Sequence, residues 1–345
     1  MSEIRVNTLG NESNTGGPVL SGITTFSGQQ YFIPPTGTTA ERPSGCPPGS
    51  IRFNTDSAHL EYWNGLVWLE FEASSEELGN QLVTNSAGGT GHRGLFAGGN
   101  SPAFREEIEY ISISTLGNSQ DFGNLTAPKT GVRGCASSTR AIFANAAKPD
   151  RVAEIDFVTF ASTGNAQDFG DTTVDVAYRG ALSNSTRGVI AGGEGPSGTV
   201  TDVMDYITIA STGNAVDFGN LIGIRSSPAG GASSVRGIFA GGSAADEIMY
   251  ITISSTGNSQ DFGDLTAGAT TITGCSNSTR CVFGGIRNPG YGNTMEFITI
   301  ASLGNAQDFG DQTTNNGGRG GAASSTRGVW AVSYTHLTLP TTPYV

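Results

Sequence analysis

One motif returns five times along the chain and constrains what the chain can fold into. Each copy contains an aromatic residue, alternating isoleucines, a Gly-Asn pair and an Asp-Phe-Gly turn. The aspartates stand at steps of 47, 49, 44 and 47 residues, and they are Asp121, Asp168, Asp217, Asp261 and Asp308. A repeat of this length with several short strands is typical of propellers and solenoids, because one unit cannot bury its own faces.

Each copy is predicted to hold four strands: one of small residues, one after a repeat arginine, the aromatic strand and the Asp-Phe-Gly strand. Apolar residues occupy both faces of the aromatic strand, as at Tyr110 and Ile111, which favours a sheet packed between two others. Four antiparallel strands per copy are typical of one propeller blade. We therefore predict an all-β protein in which residues 88–331 form a β-propeller of five complete blades and a partial sixth.

Composition argues against several classes of function. The formal net charge of -12 argues against a nucleic-acid partner, because phosphate binding depends on positive charge. No run of about 20 apolar residues is present, so no membrane insertion is expected. Residues 1–10 lack a basic segment followed by an apolar one, so no secretory signal is expected. The four cysteines form no Cys-x-x-Cys pair and are predicted to be buried small hydrophobes: Cys46, Cys135, Cys275 and Cys281.

The N-terminal part differs from the repeats. Residues 1–50 are polar and rich in Gly, Thr, Ser and Pro, which predicts an extended segment that depends on partners for its order. Residues 51–72 carry two alternating runs around Asn64-Gly65, which predicts a β-hairpin module. Residues 73–87 are predicted to be a linker.

Two stretches resemble structural proteins of tailed bacteriophages. Residues 41–71, with ERPSGCPPGSIRFNTD and LEYWNGLVW, resemble a short module near the start of tail-fibre and other virion proteins. The repeats, in the form RGIFAGG and YITISSTGNSQDFGDLT, resemble kelch-like propeller proteins of phage structural genes. The resemblance implies a tail or fibre part made in the host cytoplasm. It also implies a homo-oligomer, a trimer, attached to other virion proteins through residues 1–50.

The last fourteen residues, 332–345, depart from the repeat. They resemble the translation of a sequencing adapter, and we interpret them as an artefact.

Length variation within the repeat is confined to one loop. The repeat arginine and the aromatic residue are separated by 17, 17, 19, 14 and 17 residues. The aromatic residue and the aspartate are always 11 apart, and the aspartate and the next arginine always 19. Insertions on one face of a repeat fold often mark its binding face.

The five variable loops cover residues 100–107, 147–154, 194–203, 243–247 and 286–294. They contribute residue types that stack on sugars or pair with acidic groups: Phe104, Arg105, Lys148, Arg151, Arg287 and Tyr291. One interpretation is a surface that binds a host-cell glycan or protein. The alternative is drift in tolerant surface loops.

The repeated aspartates predict structural turns, not a catalytic or metal site. The motif resembles the Asp-box of sialidase propellers, which implies a structural turn, and each carboxylate is expected to accept hydrogen bonds from its own backbone amides. One carboxylate per copy does not supply the clustered oxygens that calcium needs. The three histidines, His59, His92 and His336, suggest no nucleophile-base pair. We expect no enzyme, cofactor or metal; the alternatives are a sialidase-like glycan hydrolase or lyase and a cellular kelch-like protein-binding scaffold.

Overall fold

The structure is a computed structural model, and it describes residues 34–57, 59–70, 83–84, 93–100, 103–148, 150–285, 290, 292–315 and 320–331. Within these residues the predicted all-β fold is confirmed. The chain divides into two units, residues 1–75 and 76–345. Among the helices of the described residues, none has the length and apolar character needed to cross a membrane.

The first unit is one four-stranded sheet in which β1 is parallel to β2 and the other pairs are antiparallel. Its strands are β1 (Thr36–Gly37), β2 (Ile51–Asn54), β3 (His59–Trp63) and β4 (Trp68–Glu70), with a 3-10 helix at Thr39–Glu41. The predicted hairpin is present, since Trp63 pairs with Trp68 across a turn in which Asn64 Oδ1 accepts two backbone N–H bonds. Because β1 belongs to this sheet, the boundary predicted at residue 50 falls inside the unit.

A buried carboxylate forms the polar centre of the first unit. Glu61 is 0% exposed and lies 2.6 Å from Arg42 Nη2 and 3.5 Å from Arg52 Nε. Asn54 Nδ2 donates a further hydrogen bond to Glu61 Oε2 at 3.2 Å. Burial raises the pKa of Glu61, but the hydrogen bonds from Arg42 and Asn54 outweigh burial and hold this pKa below its ordinary value.

We predict that the first unit loses stability in acid through Glu61. A carboxyl group with a lowered folded pKa contributes stability fully above its ordinary value of 4.5, and this contribution is lost as the pH falls through the folded value. Acid titration of the intact protein, followed by the indole N–H signals of Trp63 and Trp68, measures the loss. Glu61→Gln should weaken the unit at neutral pH and flatten its acid transition. An unchanged acid midpoint in this variant would contradict the assignment.

The described residues of the second unit form six antiparallel sheets, which we number 1 to 6 in chain order. Sheet 1 comprises β6 (Arg93–Ala97), β7 (Glu107–Ser112) and β8 (Gln120–Asn124). Sheet 2 comprises β9 (Arg133–Ala136), β10 (Arg140–Lys148), β11 (Asp150–Thr159) and β12 (Gln167–Asp171). Sheet 3 comprises β13 (Gly180–Ser183), β14 (Arg187–Ala191), β15 (Val203–Thr208) and β16 (Val216–Asn220).

The remaining sheets follow the same strand order. Sheet 4 comprises β17 (Ala229–Ala232), β18 (Arg236–Ala240), β19 (Ala245–Thr252) and β20 (Gln260–Ala269). Sheet 5 comprises β21 (Thr273–Ser276), β22 (Arg280–Gly284), β23 (Thr294–Thr299) and β24 (Gln307–Asp311). Sheet 6 comprises β25 (Gly320–Ala323) and β26 (Gly328–Ala331). The predicted four strands per copy are confirmed in sheets 2 to 5; among described residues, sheet 1 has three strands and sheet 6 has two.

A short strand from the predicted linker joins the sheets at their first strands. It is β5 (Val83–Thr84), and its backbone pairs with β21 of sheet 5. It also contacts β9, β13, β17 and β25, the first strands of sheets 2, 3, 4 and 6. These first strands consist mainly of small residues, so backbones approach one another closely.

The hydrophobic core lies between neighbouring sheets. Phe122 of sheet 1 packs in one cluster with Phe143 and Phe160 of sheet 2, and Val282 of sheet 5 packs in another with Trp330 of sheet 6. Equivalent clusters fill the three boundaries between. The predicted burial of the aromatic strand on both faces is therefore confirmed. The prediction that the cysteines are buried and unpaired is confirmed at Cys135, Cys275 and Cys281, whereas Cys46 is free but only half-buried.

The last sheet in the series, sheet 6, also contacts the first, sheet 1. Arg327 of sheet 6 donates from Nη1 to the carbonyl oxygen of Ile113, which follows β7 of sheet 1, at 2.9 Å. A methyl group added to Gly94 of sheet 1 would lie 2.7 Å from Ala322 Cβ of sheet 6. Sheet 6 thus contacts both sheet 5 and sheet 1.

The repeat arginine links the interior of its own sheet with the next sheet. In sheet 1 the Arg93 guanidinium lies 4.8 Å from the centre of the Tyr110 ring, which packs edge-on against Phe122. Arg93 Nη1 also donates to the Phe160 carbonyl oxygen of sheet 2 at 3.1 Å. The same stack of arginine, aromatic ring and phenylalanine occurs in sheets 2 to 5.

The Gly-Asn pair, predicted as a turn, also forms a backbone connection between sheets. Phe122 O accepts from Gly164 N at 2.7 Å, and Asn124 O accepts from Ala166 N at 2.7 Å. Asn165 Oδ1 in turn accepts from Asn124 N at 3.1 Å. The same three bonds join sheets 2 and 3, 3 and 4, and 4 and 5. We call this set of bonds the Gly-Asn connection.

We predict that Gly123→Ala destabilises the second unit more than Gly164→Ala. Gly123 has φ +149°, and a Cβ there would lie 2.3 Å from Gly164 O, so the backbones would have to separate. Gly164 lies in the same connection but has open space around its Cβ position. We expect a loss of about 2–4 kcal/mol for Gly123→Ala and less than about 1 kcal/mol for Gly164→Ala, measured by urea unfolding. Equal losses would mean that the close approach does not limit stability.

Candidate loop-face binding site

One end of the sheets carries all the variable loops. Along each sheet the chain reverses direction at every strand, so the loops from second to third strand lie at the same strand ends as the connections from one sheet to the next. We call this end the loop face. The Gly-Asn connections lie at the opposite end, after the third strands.

The variable loops differ in structure as well as in length. In sheet 3 the connection of residues 192–202 is held by backbone bonds such as Gly195 N to Thr199 O at 2.9 Å, and residues 196–199 at its tip are exposed. In sheet 4 only residues 241–244 connect the two strands. In sheet 2 the predicted loop at 147–154 is wrong, because β10 extends to Lys148 and β11 begins at Asp150. The strands pair beyond an irregularity at Asn145, so the extra residues extend a hairpin.

Two of the predicted binding residues lie in the sheet 1 loop. Phe104 is half-buried and its backbone pairs with Asn100. Arg105 is exposed, and its Nη1 lies 3.1 Å from Glu107 Oε1. Arg105 O accepts from Lys129 N at 2.8 Å, which ties this loop to the connection leading to sheet 2.

Arg151, also predicted to bind ligand, is engaged in a contact between sheets. Its Nη2 lies 2.9 Å from Glu194 Oε1 of the sheet 3 loop, and its guanidinium lies 5.3 Å from the Tyr178 ring centre. The residue therefore fixes one loop against its neighbour. Among the other predicted residues, Lys148 has a described backbone on β10 but no described side chain, and Arg287 and Tyr291 lie outside the described residues.

Sequence reasoning missed a set of buried acids at the loop face. Asp156, Asp205 and Glu296 each precede the aromatic residue of a third strand and are 1%, 0% and 1% exposed. Each accepts a hydrogen bond from a threonine at or beyond the end of the preceding sheet's fourth strand. Thr126 and Thr173 lie in the connections to sheets 2 and 3, and Thr266 lies in β20. The available signal was an acidic residue at this position in four of the five copies.

Two of these acids form buried ion pairs with different cations. Lys129 Nζ lies 2.7 Å from Asp156 Oδ2 and 3.3 Å from Glu154 Oε2. Arg179 Nη1 lies 2.6 Å from Asp205 Oδ2, and both side chains are 0% exposed. Burial lowers the pKa of Arg179, and the Asp205 carboxylate opposes this effect.

The repeated Asp-Phe-Gly aspartates lie on the surface. All five are exposed: Asp121, Asp168, Asp217, Asp261 and Asp308. Asp308 Oδ1 accepts from Gly310 N at 3.1 Å, as expected for a structural turn. The other four carboxylates accept no hydrogen bond from the described residues, so the expected bond to a backbone amide is found at Asp308 but not at Asp121, Asp168, Asp217 or Asp261.

The described residues contain no group of three or more His, Cys, Asp or Glu side chains that could hold a metal ion. The loop face instead consists of exposed loop tips with the buried ion pairs Lys129–Asp156 and Arg179–Asp205 beneath them.

Compared with models of known protein families and with curated proteins, the chain matches none.

We predict that Asp205→Asn destabilises the protein strongly and Asp217→Asn hardly at all. Removing the Asp205 charge leaves Arg179 buried without its counter-ion, which costs roughly 3–5 kcal/mol. Asp217 is exposed in the same sheet, so its substitution should change the free energy of unfolding by less than about 0.5 kcal/mol. Urea unfolding of both variants measures the difference. A larger effect at Asp217 would show that the exposed aspartate has an essential structural contact.

Proposed function

We propose that this protein is a structural component of a tailed-phage virion, a tail fibre or tail-associated protein. Its second unit is a kelch-like β-propeller whose loop face binds a host-cell glycan or protein. Residues 1–50 attach it to other virion proteins, and the protein assembles as a trimer. The phage-like sequence of residues 41–71 and the form of the repeats support this proposal.

The propeller arrangement is supported by the contacts among the six sheets. Neighbouring sheets share a core, and the Arg327 bond to Ile113 returns the series to sheet 1. Four-stranded sheets packed face to face around an axis are the elements of a propeller. The position of β5, against the first strands of sheets 2 to 6, agrees with such an axis.

The binding function rests on one observation, the confinement of length variation to the loop face. The opposite end is fixed by the Gly-Asn connections, so insertions there would break bonds between sheets. At the loop face a change in length alters a loop tip and leaves the strands in register. Such a surface can vary in shape while the framework stays constant.

The longest loop gives this surface a preformed shape. Residues 192–202 of sheet 3 are held by internal backbone bonds and by the Arg151–Glu194 ion pair, while residues 196–199 remain exposed. A loop that is ordered before binding loses less conformational entropy on contact with a ligand. We expect this loop and Arg105 to be main contributors to recognition.

The proposal predicts that binding to host cells depends on the loop face. The full chain would be tested on intact cells of candidate hosts and on a glycan array. One variant replaces residues 192–202 with the four-residue connection of sheet 4, residues 241–244; a second carries Arg105→Ser. We expect at least tenfold weaker binding for the loop replacement and a smaller loss for Arg105→Ser.

The matched control is Leu116→Ser, because Leu116 is 72% exposed and lies at the opposite end of the sheets. This control should bind like the unaltered protein. If both loop variants bind as well as the control, the loop face is not the recognition surface. If the unaltered chain assembles into particles but binds no cell or glycan, the second unit has a purely structural role.

A further inference from the structure

Four sheet boundaries share one set of contacts, which defines what a complete boundary contains. The repeat arginine donates to a carbonyl oxygen after the third strand of the next sheet, as Arg93 does to Phe160, Arg140 to Ile209, Arg187 to Ile253 and Arg236 to Ile300. The Gly-Asn connection covers the fourth strand at the same boundaries. The arginine also lies over the aromatic ring of its own third strand.

On the side of sheet 5 that faces away from sheet 4, only part of this set of contacts is present. Arg280 lies 4.8 Å from the Phe297 ring centre, yet it is exposed and donates to no following sheet within the described residues. Gly310 has no described atom within 4 Å of its Cβ position, whereas at the equivalent Gly263 the Gly304 carbonyl oxygen lies at 2.5 Å. Phe309 is correspondingly only half-buried.

The boundary between sheets 6 and 1 also has only part of the set of contacts. Arg327 donates to Ile113 O but has no aromatic ring beneath it among the described residues. The strand that follows it, β26, pairs with β25 along one edge only in the described part of the chain. On sheet 1, Gly117 N and Asn118 Oδ1 bond to no fourth strand within the described residues, whereas the equivalent Gly164 N and Asn165 Oδ1 bond to β8.

We propose that this open edge, formed by β24, β26 and the turn at Gly117 and Asn118, binds the third and fourth strands of a sixth copy of the repeat. The occupant is a two-stranded segment with an aromatic residue, alternating isoleucines, Gly-Asn and Asp-Phe-Gly. Residues 332–345 contain neither Gly-Asn nor Asp-Phe-Gly. The proposal does not depend on host-cell binding.

Each unfilled group has one counterpart in this segment. The segment's aromatic ring lies under Arg327, and a carbonyl oxygen after its first strand accepts from Arg280. Its Gly-Asn turn covers Phe309 and Gly310. Its second strand accepts from the turn at Gly117 and donates to Asn118 Oδ1. Addition of strands to an exposed sheet edge is an established mode of peptide recognition.

A labelled synthetic peptide with the sequence of residues 294–312 tests the proposal on the full chain. We expect saturable one-to-one binding and a higher melting temperature of the second unit. Peptides carrying Phe297→Ala or Asn305→Ala should bind at least tenfold more weakly, because they lose the ring for Arg327 or the acceptor of the Gly-Asn connection. On the chain, Arg280→Ala and Asn118→Ala, both exposed, should weaken binding, and Arg105→Ala on the loop face should not.

A second measurement tests the proposal even if the free peptide stays unfolded in solution and therefore binds weakly. Residues 332–345 are replaced by the sequence of residues 286–312, which raises the effective concentration of the segment at the edge. A melting temperature no higher than that of a scrambled graft would overturn the proposal. Equal binding of the intact and scrambled peptides would also overturn it. The proposal would also be overturned if the chain self-associates through β24 and β26 and the peptide does not disrupt this self-association.

Discussion

The second unit depends on the Gly-Asn connection, in which the backbone of one sheet bonds directly to the backbone of the next. Because its partners are N–H and C=O groups, it places a steric limit on the sequence that side-chain packing alone would not. Gly123 and its equivalents must be glycine, because a Cβ at these positions would lie only 2.3–2.6 Å from a carbonyl oxygen of the next sheet. The constant spacing of 11 residues from aromatic ring to aspartate follows, since any insertion between them would move the turn away from the neighbouring sheet.

This constraint divides the molecule into a fixed end and a variable end. The repeat arginine strengthens the fixed end, because one side chain stacks on its own sheet and bonds to the next. At the other end the repeated backbone bonds, such as Gly193 N to Arg225 O and Gly242 N to Ala269 O, hold only the base of the loop between second and third strands and leave its length free. Residues 192–202 and 241–244 therefore occupy equivalent positions at very different lengths without altering the paired strands beside them.

The sequence was sufficient for the strand order of each copy and for its two-sided burial, because period and alternation report directly on pairing and packing. It was insufficient where an outcome depends on a neighbour. Spacing revealed extra residues near Lys148 but not that they pair with Arg151 and its neighbours to extend a hairpin. Asp156 looked like an ordinary polar position on a strand, since nothing in its own copy indicates that Lys129 and Thr126 of the preceding connection cover it. Likewise, the composition of residues 34–50 did not reveal that Thr36–Gly37 pairs with β2.

The buried acids help to explain how similar copies of the repeat pack against the correct neighbouring sheets. Buried ion pairs contribute little net stability, but leaving one partner unpaired is strongly unfavourable. Asp156 meets Lys129 and Asp205 meets Arg179, whereas sheet 4 has buried Met249 at the same position. Placing sheet 4 after the connection that carries Arg179 would bury that guanidinium against a thioether. The contacts that every copy shares would tolerate such an exchange, so the differing acids and cations distinguish correct neighbours from incorrect ones.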